Sequence, residues 1–349
     1  MINSGGDFFS KKRKEIVIIS VVLIIISSFG LFFYQQNITE QNVKNSIFTQ
    51  YKDRQIESTR AIAEHISSDL KLLRSILQGI ADSTYLQQGV LYGDKIDKLM
   101  QEKFPEVNNV TKVDGLFIAD ENNIVTTHIV SKGQRSFVNI DISFRKYIQD
   151  TKNTLRPVFS DGFKGIDNID RIALTVPIIN SDTGKYIGIV GAEIPTESFF
   201  AHYGNINNID SKFFVAYDSI FNYIATPRTQ FLGESFFSNE VQTFFNFNNI
   251  QIDYYRKVFS GESLGEYAVY DFGSGERLNT GSPLLLQEKP TYFIFIITPT
   301  ATIYSEINNV LFGEKLAMFS LIVGIIAAIT TLIIFLIKWN VVLNNEVKK

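Results

Sequence analysis

Two long apolar runs lie near the two ends of the chain. Residues 16–34 and 316–337 contain no charged side chain, and each has roughly the 20 residues that cross the hydrocarbon core of a bilayer. Residues 11–14 are Lys-Lys-Arg-Lys, and Lys338 directly follows the second run. Because cytoplasmic flanks are enriched in Lys and Arg, we expect a cell-membrane protein with two transmembrane helices, cytoplasmic termini and an extracytoplasmic segment, residues 36–313.

Each apolar run also has a second interpretation. The first has the basic start of a secretory signal, but it is long for one, and residues 34–37, Tyr-Gln-Gln-Asn, offer no small-residue cleavage site. The second has the composition of a buried core helix, although Gly324, Ala327 and Ala328 and its length favour a membrane span. We therefore predict an uncleaved anchor and a second span.

A helical pattern follows the first run directly. Residues 37–78 contain no proline or glycine, and Ile62, Ile66, Leu70, Leu73 and Leu77 recur at a spacing of three to four. This spacing is typical of an amphipathic helix. We expect one rigid helix that continues from the first span.

After Pro105 the pattern changes to short strands and turns. It predicts strands at residues 114–120 and 124–128, a helix at 143–151, and strands at 171–177 and 186–194. A similar order follows, with a helical connector at 196–203, strands at 212–218 and 222–227, helical material at 235–247, and strands near 265–270 and 291–298. We therefore expect two α+β sheet domains in tandem, and a helix from Ala301 into the second run.

The composition narrows the class of protein. The chain has no cysteine and so no disulfides, which fits a bacterial or archaeal surface protein better than a secreted animal ectodomain. The net charge is only -3, without a basic block beyond the N-terminal one, so we expect no nucleic-acid partner. Because His65, His128 and His202 are scattered, we predict no metal site, and we expect no cofactor and no enzymatic activity.

Several short segments resemble a known family. Residues 141–147 read Asp-Ile-Ser-Phe-Arg-Lys-Tyr, and they are followed by Arg-Pro-Val-Phe-Ser-Asp at 156–161, Leu-Thr-Val-Pro-Ile at 174–178 and Gly-Ile-Val-Gly-Ala-Glu-Ile at 188–194. This series resembles the membrane-distal half of a double Cache (dCache) sensor domain. Residues 214–218, 224–227 and 298–299 resemble the membrane-proximal half.

The resemblance implies an α+β fold in which two tandem PAS-like antiparallel-sheet domains sit on a long N-terminal helix between two transmembrane helices. The implied division is 1–15 tail, 16–34 span, 35–111 helix and connector, 112–195 distal domain, 196–300 proximal domain, 301–315 juxtamembrane helix, 316–337 span and 338–349 tail.

The family also implies a function. Such domains bind a small molecule in the distal module of histidine kinases, chemoreceptors and cyclic-nucleotide enzymes, and pass a signal across the membrane. Only about a dozen residues follow Ile337, too few for a kinase, receptor or cyclase output domain. We therefore expect a homodimer that forms through the long helix and passes its signal to a separate cytoplasmic signalling partner. The alternative is that the chain is the sensory part of a longer protein.

The resemblance implies five ligand-binding residues, which are Arg145, Tyr147, Phe159, Asp161 and Glu193. The amino-acid-sensing branch of the family has Arg-x-Trp-Tyr, then Tyr-x-Asp, then a final Asp. Arg145 and Asp161 match that pattern, whereas Tyr147 stands in place of Trp, Phe159 in place of the second Tyr, and Glu193 in place of the final Asp. Ile148 replaces the first Tyr. We expect an amino acid, an amine or a carboxylate as the ligand.

Two alternatives stay open at this stage. Arg145 and Glu193 would form an ion pair, with Tyr147 and Phe159 as ordinary core residues, if the segment binds no ligand. The chain would then be a surface-anchored scaffold or adhesion module, and the surroundings of Arg145 and Asp161 would be solid apolar packing.

Overall fold

The computed structural model describes residues 5–261 and 266–346. The helices are α1 Gly5–Ala81, α2 Thr84–Gln87, α3 Asp94–Val110, α4 Lys146–Thr154, α5 Thr196–Ala201, α6 Asn239–Phe244, α7 Asn249–Ser260 and α8 Thr300–Glu346. The strands are β1 Gly115–Asp120, β2 Val125–Val130, β3 Val158–Phe159, β4 Phe163–Lys164, β5 Asp170–Ile179, β6 Tyr186–Pro195, β7 Phe213–Tyr217, β8 Tyr223–Ala225, β9 Tyr267–Tyr270, β10 Arg277–Leu286 and β11 Lys289–Pro299. The chain divides into two compact units, Lys52–Thr302 and Met1–Tyr51 with Ile303–Lys349.

One stretch of helix has the properties of a membrane span. Among the described residues, Thr300–Thr331 is long and apolar enough to cross a bilayer, with a mean hydropathy of 2.0. It overlaps the predicted second span, and α8 begins within a residue of the predicted start at Ala301. The other predicted span, residues 16–34, lies within α1. The number of membrane spans and the cytoplasmic location of the two termini stay predictions.

In the unit Lys52–Thr302, α1 packs one apolar face against both sheets. Ile66, Leu70, Leu73 and Leu77 are fully buried, at the spacing of three to four that predicted an amphipathic helix. The cluster around them contains residues of both sheets, such as Leu116, Ile118, Ala216 and Ile294. The predicted long helix is therefore confirmed, and its buried face is shared by the two sheets.

The first sheet has the order β2-β1-β6-β5-β3, with β4 also paired to β5, and every pairing is antiparallel. Its four predicted strands are confirmed. The predicted helix at 143–151 begins three residues later, at Lys146. The side chain of Asp141 accepts a hydrogen bond from the Ser143 N–H at 2.8 Å, and Arg145 has an extended backbone, so the chain is not yet helical there.

The second sheet has the order β8-β7-β11-β10-β9, the same plan as the first. Two of its elements were not predicted. Strand β10 was missed because Gly281 and Pro283 interrupt its apolar pattern, although it pairs with β11 along its full length. Helix α7 was missed because the predicted helical region ended at residue 247, whereas Asn248 caps a new helix by accepting from the Gln251 N–H at 2.9 Å.

The two sheets carry matching turns after their first strands. Asp120 Oδ1 accepts hydrogen bonds from the N–H groups two and four residues on, both at 2.9 Å. Asp218 Oδ1 does the same at 3.1 and 2.8 Å. The third turn residue has a left-handed backbone in both, at Asn123 and Phe221. Residues 116–120 and 214–218 are therefore structurally equivalent in the two sheets.

Asp218 also joins the two sheets. Its Oδ2 accepts a hydrogen bond from the Gly162 N–H of the first sheet at 3.1 Å, and close by the Tyr292 hydroxyl donates to the Ser160 carbonyl at 2.6 Å. Burial raises the pKa of Asp218 to about 6, against the lowering effect of the backbone hydrogen bonds that the carboxylate accepts from Asn222 and Gly162.

The raised pKa of the buried Asp218 carboxyl predicts that the stability of the fold depends on pH. Because the folded pKa is raised above 3.8, the contribution of Asp218 to the free energy of unfolding is fully present below pH 3.8 and declines as the pH rises to about 6. The difference in unfolding midpoint between wild type and Asp218→Asn, measured by thermal denaturation at several pH values, should follow that decline. Asp120→Asn replaces the equivalent turn carboxylate, which makes no contact with Gly162, by an amide and is the control; a pH-independent difference for Asp218→Asn contradicts the prediction.

Candidate ligand-binding site

The face of the first sheet that turns away from α1 forms a separate cluster. Side chains alternate along each strand, so Leu116 and Ile118 of β1 pack toward α1 whereas Phe117 and Ala119 face the other side. Helix α4 covers this second face. We call it the α4 face, and it contains Phe117, Ala119, Val125, Ile142, Tyr147, Ile148, Ala173 and Ile189.

Tyr147 lies in the middle of the α4 face. Its side chain is only 7% exposed, and its ring centroid is 5.2 Å from that of Phe163. Burial raises the pKa of the Tyr147 hydroxyl, and the negative charge of Glu193 raises it further, whereas Arg145 and Arg171 act in the opposite direction. These three charged side chains therefore lie within electrostatic range of the Tyr147 hydroxyl.

Arg145 immediately precedes α4 and is partly exposed. Its Nη2 donates to the Lys164 carbonyl at 3.0 Å, and its guanidinium lies over the rings of Phe163 and Phe144, with centroids at 4.6 and 4.9 Å. Within the described part of the chain it has no ion pair, so the Arg145–Glu193 pair of the alternative interpretation is not formed. Arg145 is thus a cation on an aromatic platform with free hydrogen-bond donors.

Glu193 approaches His128 across Gly115. Its Oε2 is 3.6 Å from His128 Nε2, and the side chains are 12% and 1% exposed. A Cβ atom on Gly115 would lie 2.3 Å from His128 Nε2, so only glycine allows the two to come together over β1. His128 Nδ1 accepts a hydrogen bond from the Phe137 N–H at 2.9 Å, which leaves the neutral ring its proton on Nε2. That buried Nε2 has no hydrogen-bond partner in the described part of the chain.

Arg171 supports the site from the same sheet. It is only 1% exposed and binds Asp167 through two hydrogen bonds, at 2.5 and 2.7 Å, and Asp114 at 2.9 Å. These hydrogen bonds hold the pKa of Asp167 below its usual value, whereas deeper burial raises the pKa of Asp114 despite the same arginine. Asp167 and Asp114 together thus hold the Arg171 guanidinium in place.

The structure brings together three of the five predicted residues. Arg145, Tyr147 and Glu193 belong to the α4 face or its rim. Phe159 packs instead against the cluster that contains α1, and its neighbour Val158 packs against the α4 face. Asp161 Oδ1 accepts a hydrogen bond from the Ser219 hydroxyl of the second sheet at 2.5 Å. The sequence analysis did not select His128 or Arg171 as site residues. Both lie in predicted strands, where an isolated charged or titratable side chain is a signal of a functional role.

One protein family matches part of the chain. Residues 71–194 match the family described as HK/GC/Chemotaxis protein-like, sensor domain, and they include Arg145, Glu193, His128 and Arg171. No curated protein matches the chain significantly.

Solved structures share the fold at low sequence identity. An extracellular ligand binding receptor from Desulfohalobium retbaense is 18% identical, with a TM-score of 0.51; the match covers 69% of this chain and 39% of that receptor. The ligand-binding domain of the Pseudomonas aeruginosa chemoreceptor PctB, in complex with L-Arg, is 11% identical with a TM-score of 0.53, over 74% and 92% of the two chains. That of the Pseudomonas fluorescens chemoreceptor CtaA, in complex with L-serine, is 9% identical with a TM-score of 0.52, over 72% and 99%.

The buried arginine leads to a prediction of stability. Arg171→Met should lower the free energy of unfolding by about 3–5 kcal/mol, because it leaves the buried Asp114 carboxylate without its counter-charge. Arg256→Met, at an exposed pair with Asp253, should change it by less than about 1 kcal/mol. Denaturant titration of the chain in mild detergent checks both; equal losses for the two variants would show that Arg171 has no special structural role.

Proposed function

We propose that the protein is a membrane-anchored extracytoplasmic sensor of a small molecule, because residues 71–194 match a sensor-domain family of the HK/GC/chemotaxis type and the chain has the fold of chemoreceptor ligand-binding domains. The ligand binds on the α4 face, and the signal passes through α1 and α8 to a cytoplasmic partner. The proposal assigns no catalytic step to the chain.

One observation carries this proposal. A nearly buried carboxylate, Glu193, and a fully buried imidazole N–H, that of His128, face one another at 3.6 Å without a hydrogen bond. Burying a polar group without a partner is unfavourable, and a ligand that bonds to both groups removes that cost. The scaffold alternative predicts apolar packing around Arg145 and Asp161, whereas Arg145 donates to the Lys164 carbonyl and Asp161 accepts from the Ser219 hydroxyl, so these polar surroundings favour the sensor.

The charges define the class of ligand. Arg145 offers two parallel N–H donors that suit a carboxylate, and Glu193 suits an ammonium group. An amino acid has both groups, whereas an amine or a simple carboxylate uses only one side of the site. Complexes of the structurally similar chemoreceptor domains with L-serine and L-Arg support an amino acid as the first choice.

Membrane attachment and assembly complete the proposal. The apolar stretch Thr300–Thr331 supports an anchor in α8, and the apolar residues 16–34 of α1 supply the second span. Two copies of the chain associate in parallel through α1. With both spans in the membrane, the unit Lys52–Thr302 is extracytoplasmic and both termini are cytoplasmic.

Ligand binding is tested with the full chain in lipid nanodiscs. A panel of amino acids, amines and small carboxylates is screened by thermal shift, since a ligand at about 100 times its dissociation constant stabilises the fold by about 2.7 kcal/mol. Arg145→Ala should abolish shifts by ligands with a carboxylate, and Glu193→Gln those by ligands with an ammonium group. Arg256→Ala and Glu121→Gln, both exposed, are the matched controls. A folded protein that responds to no compound, or hits that both site variants leave intact, would refute the proposal.

Signal transfer is tested by cross-linking. The chain contains no cysteine, so a single cysteine reports one contact. Ser46→Cys, at an exposed position of α1, should form an intermolecular disulfide in membranes, at a rate that changes when the ligand is added. Ser181→Cys, in an exposed hairpin, should not cross-link. A rate at Ser46→Cys that the ligand leaves unchanged would exclude transfer through α1.

A further inference from the structure

The two sheets contain an arginine at the same position. Arg171 lies opposite Pro195 of the neighbouring strand in the first sheet, and Arg277 lies opposite Pro299 in the second. Gly115 lies opposite Glu193, and Phe213 lies opposite Ile297, so the remaining strands align in the same register. Arg277 is therefore the structural equivalent of Arg171.

The charges around these two arginines differ. The residue before β1 is Asp114, which binds Arg171, whereas the residue before β7 is Lys212. Arg277 is only 8% exposed, and its guanidinium donates to the carbonyls of Ile209 and Ser274 at 3.2 and 3.4 Å. It forms no ion pair within residues 5–261 and 266–346. Among the described residues, Arg277 is thus a buried cation without an acidic partner.

A small cavity lies beside Arg277. Its volume is about 30 Å³, and aromatic rings form most of its wall. A second cation, Arg228, also lines it, and burial together with the charge of Arg277 lowers the pKa of Arg228. Gln251 lines the cavity too, is 2% exposed, and its Oε1 accepts no hydrogen bond in the described part of the chain.

These groups together require an occupant of opposite charge. A buried guanidinium is costly unless an anion pairs with it, and two that line one cavity repel each other. We propose that the second sheet contains a ligand site of its own, for a small carboxylate that also carries a hydrogen-bond donor. Arg277 and Arg228 bind the carboxylate, and Gln251 Oε1 accepts from the donor. Since one water needs about 10–15 Å³ of such volume, the ligand is of acetate to glycolate size.

Three related probes test the chemistry on the full chain in nanodiscs. ¹³C-labelled glycolate should give saturable binding in saturation-transfer NMR. Acetate lacks the hydroxyl donor and should bind more weakly, and acetamide lacks the charge and should not bind. No saturable binding of glycolate, equal binding of acetamide, or displacement of glycolate by chloride or phosphate at equal concentration would overturn the proposal.

Variants locate the site and separate it from the α4 face. Arg277→Gln and the half-buried Arg228→Gln should each weaken glycolate binding at least about tenfold, the effect of one lost charged hydrogen bond. If Arg277→Gln does not fold, Arg228→Gln decides. Arg256→Gln is the exposed control and should bind as wild type does. Glu193→Gln should also bind glycolate normally, because its carboxylate belongs to the first sheet. Binding that survives Arg228→Gln, or is lost in Glu193→Gln, would overturn the assignment.

Discussion

The apolar face of α1 is the constraint on which the fold of Lys52–Thr302 depends. Ile66, Leu70, Leu73 and Leu77 are fully buried in one cluster with residues of both sheets. Each sheet buries one face against this helix and has its other face left for helices of its own. The helix also makes polar contacts with the second sheet, since Gln55 Nε2 donates to the Ile296 carbonyl at 2.9 Å. One helix thus holds both sheets in a single core, and the opposite faces pack against α4 on the first sheet and α7 on the second.

Those opposite faces have different chemistry. On the first sheet, Arg171 is neutralised by Asp114 and Asp167, and the buried His128 N–H, 3.6 Å from Glu193, has no hydrogen-bond partner within the described residues. On the second sheet, the equivalent arginine, Arg277, forms no ion pair with an acid of the described segments. A repeated backbone plan therefore carries two electrostatic environments, because Lys212 stands in place of Asp114, and Gly273, four residues before Arg277, stands in place of Asp167.

A polar contact between the two sheets is centred on the Asp218 carboxylate. Asp218 receives the Gly162 N–H and lies near Asp161, whose charge also raises its pKa. Asp161 was predicted to bind the ligand, which stays a prediction, and its Oδ1 accepts a hydrogen bond from the Ser219 hydroxyl of the second sheet. The segment of residues 159–162 therefore links the first sheet to the second.

The sequence alone determined the class of fold, the long amphipathic helix and most strands, because burial imposes a period of two or about 3.6 on the apolar residues. It missed α7 and β10, where Asn248 starts a new helix and Gly281 and Pro283 break the pattern. It also selected Arg145, Tyr147 and Glu193. Only the tertiary structure decided that Phe159 packs toward α1, that Asp161 bonds to the second sheet, and that His128 meets Glu193. These placements depend on strand register and on contacts between residues far apart in the chain, which no local pattern of residues records.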